Sequence, residues 1–407
     1  MPRLSLRLLA LSLGTVYLAP GVLMLNPRPV EFGRWMSYPI VVQPTDRKPS
    51  VGRGRSKSAL SCRLSETSNA FRTEVNIKPL AANDRLGYSD TFTLLGSCFS
   101  ENVGQRLSRL KFDTYVNPSH GILFNPLSVA SSLERMASGL LYDPDDLIFN
   151  KNTGLWCSFD HHSQFSSTDR EACIEGINMA LEKGSEHLLS STCIFVTLGT
   201  AWAYWHKETG RHVASCHKLP QNLFERRLLP IDKMVTALDT SLTCVAGCNP
   251  GARVVFTVSP VRHWREGAVD NCRSKAHLVA AVHKLAELRR GQTQISYFPS
   301  YEIINDDLRD YRFYEADMIH PNSVAIDYIW EKLVGAFFSP TAVKTSREVE
   351  RLLQAKEHRP FNPNSVAHLQ FLQEQLKRVE ELKQQHKDLD LSQEQAYFSS
   401  ASDCLAQ

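Results

Sequence analysis

Thr91–Asn102 reads TFTLLGSCFSEN, and the fold follows from how that stretch divides. Phe92–Leu95 is an apolar, β-type run, Gly96 breaks it, and Glu101–Leu110 continues as an amphipathic segment that reads as a helix. Strand, tight glycine turn, polar residue and helix in that order set the Ser97 hydroxyl at the carboxyl end of a sheet strand. It lies beside the unpaired N–H groups of a helix N-terminus, where developing negative charge is stabilised. Such a position suits a nucleophile. The same residues also fit a reading in which Ser97 only caps the helix that follows.

A second stretch bears on that choice. Asp317-Met318-Ile319-His320-Pro321-Asn322 stands directly before Ser323–Phe338, which reads as a helix. Asp and His three residues apart on a loop held by a proline can face the same way. The carboxylate then bonds one imidazole nitrogen and leaves the other as a base. An early serine at a strand end with a late Asp-x-x-His is a triad pattern, which names Ser97, His320 and Asp317. Cys98 is the competing nucleophile, although it alternates away from Ser97 and begins the helix.

Helices alternate with buried strands through the middle of the chain. Glu171–Leu189 precedes Thr192–Leu198, Ile231–Val245 precedes Ala252–Ser259, and Cys272–Arg290 precedes Gln294–Phe298. With the first strand this gives at least four sheet strands and predicts a three-layer α/β/α domain with a mostly parallel sheet. Ligands in such sheets bind outside the carboxyl ends of the strands. Asn117–Ser128, with its Asn-Pro, Ser-His-Gly and Asn-Pro breakers, reads as a loop folding back over the strand end that carries Ser97. Leu127–Leu140 reads as a helix. Asp143–Phe165 reads as a small hairpin or flap, with His161 and His162 a solvated pair. Arg262 and His263 lie just past another strand end. They could bind an anionic or polyhydroxylated group or supply a second base, and His263 equally fits a structural role beside Trp264. His217 is a further pocket candidate. Asp306, Asp307, Arg309 and Asp310 read as a local salt-bridged turn.

Six ordered segments carry a family resemblance: LGSCFSEN, NPSHGILFNPLS at Asn117–Ser128, TLGTAWAYW at Thr197–Trp205, CHKLP at Cys216–Pro220, TVSPVRHWREGAVDNCRSKA at Thr257–Ala276 and YFPSYEIINDDLRDYRFYEADMIHPN at Tyr297–Asn322. Together they resemble the GSCFA family, named for its Gly-Ser-Cys-Phe-Ala motif, with Ser100 here in the fifth place. The resemblance runs from roughly Asp90 to Asn364. That family is considered SGNH-hydrolase-like, which implies an SGNH-like fold, Ser97 after the first strand and Asp-x-x-His before the last helix. It further implies the Ser97 N–H and Gly121 as oxyanion donors. SGNH enzymes use an Asn side chain after a middle strand as the third donor, whereas Gly199-Thr200-Ala201-Trp202 stands there in this chain. Thr200 and, from the neighbouring loop, Asn125 are the substitutes.

The resulting functional expectation is a serine esterase or O-acyltransferase acting on small-molecule or glycan acyl esters, or on O-acyl lipids. The alternative is a carbohydrate- or ligand-binding module on the same fold without catalysis. A third is a structural interaction protein organised by Ser365–His386, which reads as an amphipathic helix.

Composition sets outer bounds. A chain of 407 residues with 43% apolar content can bury a full core. It divides at 1–25, an N-terminal signal- or anchor-like segment; 26–73, a basic arm; 74–340, the catalytic domain; and 341–407, a helical extension with a disordered tail. Residues 1–73 hold eleven Lys and Arg against three acids, so the remainder carries −5 of the overall +3. A mildly acidic body without a basic stripe excludes nucleic acid as an expected partner. Arg3 and Arg7 before the apolar run Leu8–Leu25 read as a secretory signal or a signal anchor that would associate with a membrane. The Pro-, Ser- and Arg-rich stretch after it resembles a transit segment, so a plastid address and a plain linker both fit. Ten scattered cysteines without a C-x-x-C pair, and no glycine-rich phosphate loop or dinucleotide fingerprint, lead us to expect neither metal nor cofactor.

Overall fold

The run that ends at Gly96 lies inside a parallel sheet. In the computed structural model, which describes residues 74–387 and 389–406, β1 (Thr91–Gly96) leads through Ser97 into α1 (Cys98–Arg109). The chain returns as the edge strand β2 (Asp113–Val116) and then forms α2 (Pro126–Ser138). A hairpin of β3 (Leu147–Asn150) and β4 (Leu155–Ser158) precedes α3 (Arg170–Ser190), which feeds β5 (Cys193–Leu198). A small antiparallel sheet of β6 (Trp202–His206), β7 (His212–Val213) and β8 (Phe224–Leu228) is inserted before α4 (Ile231–Cys248). Then come β9 (Arg253–Val258), α5 (Gly267–Leu288), β10 (Ile295–Phe298), α6 (Ser300–Asn305) and α7 (Ser323–Phe337). The targeting readings of residues 1–73 lie outside the described residues. Among the described residues no helix is long and apolar enough to cross a membrane.

The main sheet has the order β10-β9-β5-β1-β2 with every pairing parallel. Alternate side chains serve opposite layers. Phe92, Leu94, Phe195 and Val255 pack with α1, α6 and α7. Leu95, Ile194, Val196, Val254 and Phe256 pack with α2, α3, α4 and α5. Burial on both faces fixes the register, because a slip of one residue would exchange the two sets. This is the expected three-layer α/β/α domain with a parallel sheet. Its order reverses at β1, which has β2 on one side and β5 on the other, and that reversal is where such sheets open a ligand crevice. Ser97 therefore stands at the crevice because β1 does.

Two parts depart from the sequence expectation. The edge strand β2 is short, with no fully buried residue among Asp113–Val116, and so lacks the apolar run that marks its neighbours. The C-terminal tail, expected to be disordered, forms the helix α10 (Ser392–Ala406) beside α8 (Pro340–Glu357) and α9 (Val366–Gln385). Few apolar residues suffice: Leu389, Leu391 and Phe398 are buried against Val349, Leu352, Leu372 and Val379. The buried Glu394 carboxylate meets Lys111 at 2.9 Å and Lys356 at 3.4 Å, which ties α10 to both parts of the chain. The amphipathic α9 helix is covered by α8 and α10. Tyr88, stacked on Phe112 at 4.1 Å, joins that cluster to the main core.

Candidate active site

Three loops clasp Ser97. Gly96 takes φ +123°, because a Cβ there would be driven into the Thr197 carbonyl of the neighbouring strand. Its N–H donates to Asn117 Oδ1 at 2.9 Å, and its carbonyl accepts from the Leu123 N–H at 2.9 Å. Ser97 N–H donates to the Thr197 carbonyl at 3.1 Å. On the far side Gly199 is so close that a Cβ added to it would lie 3.3 Å from Ser97 Cβ. Ser97 is 1% exposed and caps α1, with a long 3.4 Å bond from the Phe99 N–H to its Oγ.

The Asp-x-x-His loop is built from its own backbone. Asp317 Oδ1 accepts from the N–H groups of Ile319 at 2.8 Å and His320 at 3.0 Å, while Oδ2 lies 2.6 Å from His320 Nδ1. The His320 side chain and those two amides hold the Asp317 carboxyl down at about 2, so it is an anion at any working pH. Met318 makes the turn with φ +58°. Arg262 fastens it: its backbone N–H donates to the Ile319 carbonyl at 3.1 Å and its guanidinium to the Met318 carbonyl at 3.0 Å. The same guanidinium lies over Trp264 at 3.9 Å, with Tyr314 and Tyr311 at 5.4 and 5.5 Å. Phe99 and Asn102 of α1 line one small cavity with Ile326 of α7, so Ser97 and His320 precede adjoining helices at one rim of the sheet. Among the described residues no hydrogen bond joins the Ser97 hydroxyl to His320, whose side chain is 50% exposed.

Most of the expected donors are committed elsewhere. Asn125 caps α2, accepting from the Ser128 N–H and donating to Ser128 Oγ, both at 3.0 Å. The buried Thr200 hydroxyl pairs with Ser274 Oγ at 3.0 Å and accepts from the Trp202 N–H at 3.1 Å. Both side chains are thus engaged in local structure. Gly121, with φ +75°, has an N–H without a partner among the described residues, and a Cβ on it would lie 2.7 Å from His162 Cβ. Burial first, then Glu101, pushes the Cys98 thiol up, which makes it a poorer nucleophile than an ordinary cysteine. His263 lies on the loop that carries Arg262, and its N–H donates to Asn271 Oδ1 at 2.8 Å. The expected salt-bridged turn near Asp306 is absent among the described residues. Asp307 instead accepts from Val75 N–H at 2.6 Å and from the Tyr328 hydroxyl at 2.8 Å.

Two residues of the site escaped the sequence reading. Lys275 is fully buried, and its Nζ donates to the Gly199 carbonyl at 2.8 Å and the Ser259 carbonyl at 2.7 Å, tying the carboxyl ends of β5 and β9 together. Burial pulls this amine down to about 7. The signal was present: Asn271, Ser274 and Lys275 share the stripe of α5 that carries Leu278, Ala281, Val282 and Leu285, so three polar residues occupy an apolar face. Asn117 is the other. It was read only as a loop breaker, yet it is buried and holds the Gly96 N–H.

Beneath the loop that carries Gly121 lies a group of histidines. His120 Nδ1 meets Ser119 Oγ at 2.6 Å and Ser132 Oγ at 2.9 Å, and its Nε2 meets the Tyr142 hydroxyl at 2.8 Å. His161 stacks on it at 4.5 Å and is fully buried, contrary to the solvated pair expected with His162. His217 donates from Nε2 to the Ser158 carbonyl at 2.7 Å. Burial, with Arg135 adding to it, pushes His120 down to about 3; burial likewise carries His161 well below and His217 below the ordinary histidine value. Unfolded histidines titrate near 6.5. Below that pH the unfolded chain gains protons that the folded chain refuses, so the histidines' contribution to stability is intact above about 6.5 and falls with pH beneath it. His120, held neutral down to about pH 3, alone removes about 1.4 kcal/mol per pH unit below 6.5. The urea midpoint should therefore drop steeply from pH 6.5 toward pH 5, and His120→Gln should flatten that drop. A midpoint unchanged down to pH 5 would contradict the neutral cluster.

The GSCFA family matches residues 91–333, and the GSCFA domain protein C-terminal domain matches residues 349–401. No curated protein matches the chain. A carbohydrate esterase family 3 structure from Talaromyces cellulolyticus is similar at 8% identity and a TM-score of 0.32, over 64% of this chain and 99% of its own. The acetyl xylan esterase Est2A from the rumen bacterium Butyrivibrio proteoclasticus is similar at 12% identity and a TM-score of 0.31, over 61% of this chain and 63% of its own. Likenesses of that size carry no argument about chemistry. The family match does carry one about descent, since it starts at β1, ends in α7 and takes in the whole parallel sheet with both loops that supply Ser97 and His320: the chain belongs to the GSCFA family.

Proposed function

We propose that this protein is a serine esterase or O-acyltransferase of the SGNH-like class, acting on O-acyl groups of a carbohydrate or lipid. The observation that carries the reading is the Asp317–His320 pair at 2.6 Å, fastened by Arg262 at the rim that also presents Ser97. With Nδ1 held by the carboxylate, His320 Nε2 takes the Ser97 proton as the hydroxyl attacks an ester carbonyl, and returns it to the departing alcohol. Water completes hydrolysis, and a second alcohol completes transfer. Next to the fastened loop a cavity of about 350 Å³ is lined by Arg262, Asp306, Arg309, Asp310, Tyr311 and Tyr314, a mixture of donors, acceptors and rings suited to a polyhydroxylated group. We place the N-terminal residues 1–73 as the address that carries the enzyme into the secretory pathway or a plastid.

A second reading has its own observation. The Ser97 N–H is given to the Thr197 carbonyl and the serine is buried, which suits a binding module that has no need of a nucleophile. A fluorophosphonate probe applied to the full chain separates the two. The esterase is labelled at Ser97, and both Ser97→Ala and His320→Ala lose the label. Retention of an acylated glycan without any labelling would move the assignment to the binding module.

A further inference from the structure

We propose that Asn117 is a catalytic residue whose Nδ2 donates to the oxyanion, in place of the Asn side chain that is missing after β5. This rests on the esterase reading above and adds a residue to it. Asn117 follows β2, on the strand next to Ser97. Its Oδ1 accepts from the Gly96 N–H at 2.9 Å, and its own N–H donates to the Leu94 carbonyl at 2.7 Å. The Gly96 N–H can only donate, so the end of the amide facing β1 is the oxygen and the other end is Nδ2. That nitrogen is buried and has no hydrogen-bond partner. Asn117 is 7% exposed and adopts φ +45°, a left-handed backbone that Asn tolerates better than most residues.

A buried amide donor left without a partner costs free energy, and so does the backbone that places it; both costs cluster at sites where chemistry uses them. The alternatives nearby are engaged in other bonds. Ser97 N–H goes to Thr197, the Asn125 amide bonds Ser128 through both its oxygen and its nitrogen, and the Thr200 hydroxyl is paired with Ser274. The Gly121 N–H, four residues further along the same loop, is the other donor without a partner among the described residues. In the acylation step Ser97 Oγ bonds the carbonyl carbon, its proton passes to His320 Nε2, and the C=O π pair moves onto oxygen. Asn117 Nδ2 and Gly121 N–H donate to that oxygen. On collapse the C=O re-forms, the bond to the alcohol breaks, and the leaving oxygen takes the proton from His320.

Asn117→Asp keeps the acceptor for Gly96 and removes the donor. With p-nitrophenyl acetate it should lower the kcat of the folded protein by about 10²- to 10³-fold, with KM near wild type. A merely structural role would leave the kcat of the surviving folded protein intact. Should the variant fail to fold, the wild-type protein decides: in a crystal structure of the phosphonylated Ser97 adduct the phosphoryl oxygen should lie within hydrogen-bond distance of Asn117 Nδ2. A phosphoryl oxygen held by Thr200 or Asn125, or an Asn117→Asp variant with wild-type kcat, overturns this inference and leaves the esterase reading standing. A wild-type chain that hydrolyses nothing and takes no label overturns both.

Discussion

His320→Ala should reduce kcat for ester hydrolysis by roughly 10⁴- to 10⁶-fold, and Asp317→Asn by roughly 10⁴-fold. The first loss follows, on the proposed mechanism, from removing the base that receives the Ser97 proton. The second follows from the loop's own hydrogen bonds. Asp317 Oδ1 accepts two backbone N–H groups, from Ile319 and His320, and only Oδ2 faces the imidazole. An asparagine there must keep its oxygen toward those two donors, since turning the amide over would set NH₂ against N–H. Its NH₂ then faces His320 Nδ1 and donates to it. The imidazole proton is forced onto Nε2, the nitrogen that has to accept from Ser97, so the base is blocked although the geometry is kept. Asp317→Ala imposes no tautomer and should be less damaging than Asp317→Asn. Steady-state rates for the three variants on one ester decide it. An Asp317→Asn enzyme within tenfold of wild type would mean that His320 is not the base.

The Asp317–His320 pair is visible in the sequence because it is local. Asp317 and His320 sit three apart on one turn, and nothing distant sets their contact. The strand ending at Gly96 was equally legible, since buried parallel strands announce themselves as apolar runs between helical stretches. What the sequence hid depends on contacts far along the chain. Thr200 and Asn125 look like free donors until Ser274, 74 residues from Thr200, and the α2 cap claim them. Lys275 looks like one more helix lysine until the ends of two strands close around it. Asn117 looks like a turn residue until β1 and β2 pair and bring Gly96 to its side chain. His161 and α10 hide for the opposite reason: their polar sequence suggests exposure, yet a few partners are enough to bury His161 and the Phe398 side of α10.

The backbone turn that presents Ser97 makes the second large prediction, this time on folding. Gly96→Ala should destabilise the protein by at least about 3 kcal/mol, because two independent penalties fall on one methyl group. The φ of +123° is outside the regions open to residues with a Cβ, so the substitution is strained whatever the space around it. The space is also filled, and by backbone: the nearest atoms are the carbonyl group and the amide nitrogen of Thr197, in the strand paired with β1. No rotamer change can relieve that contact, since the obstacle is a peptide group that itself accepts the Ser97 N–H. Relief would require β1 and β5 to part, which costs the hydrogen bonds and the shared burial of Leu94 and Phe195 on one face and Leu95 and Val196 on the other. Gly176 supplies the contrast. It lies inside α3 with nothing within 4 Å of a Cβ, so Gly176→Ala should raise stability by about 0.5–1 kcal/mol through helix propensity alone. Urea denaturation of the two variants beside wild type therefore tests whether the glycine before the serine is a requirement of the sheet. If Gly96→Ala proved as stable as wild type, the close approach of β5 to the turn would be wrong, and with it the placement of Ser97 between Asn117 and Gly199.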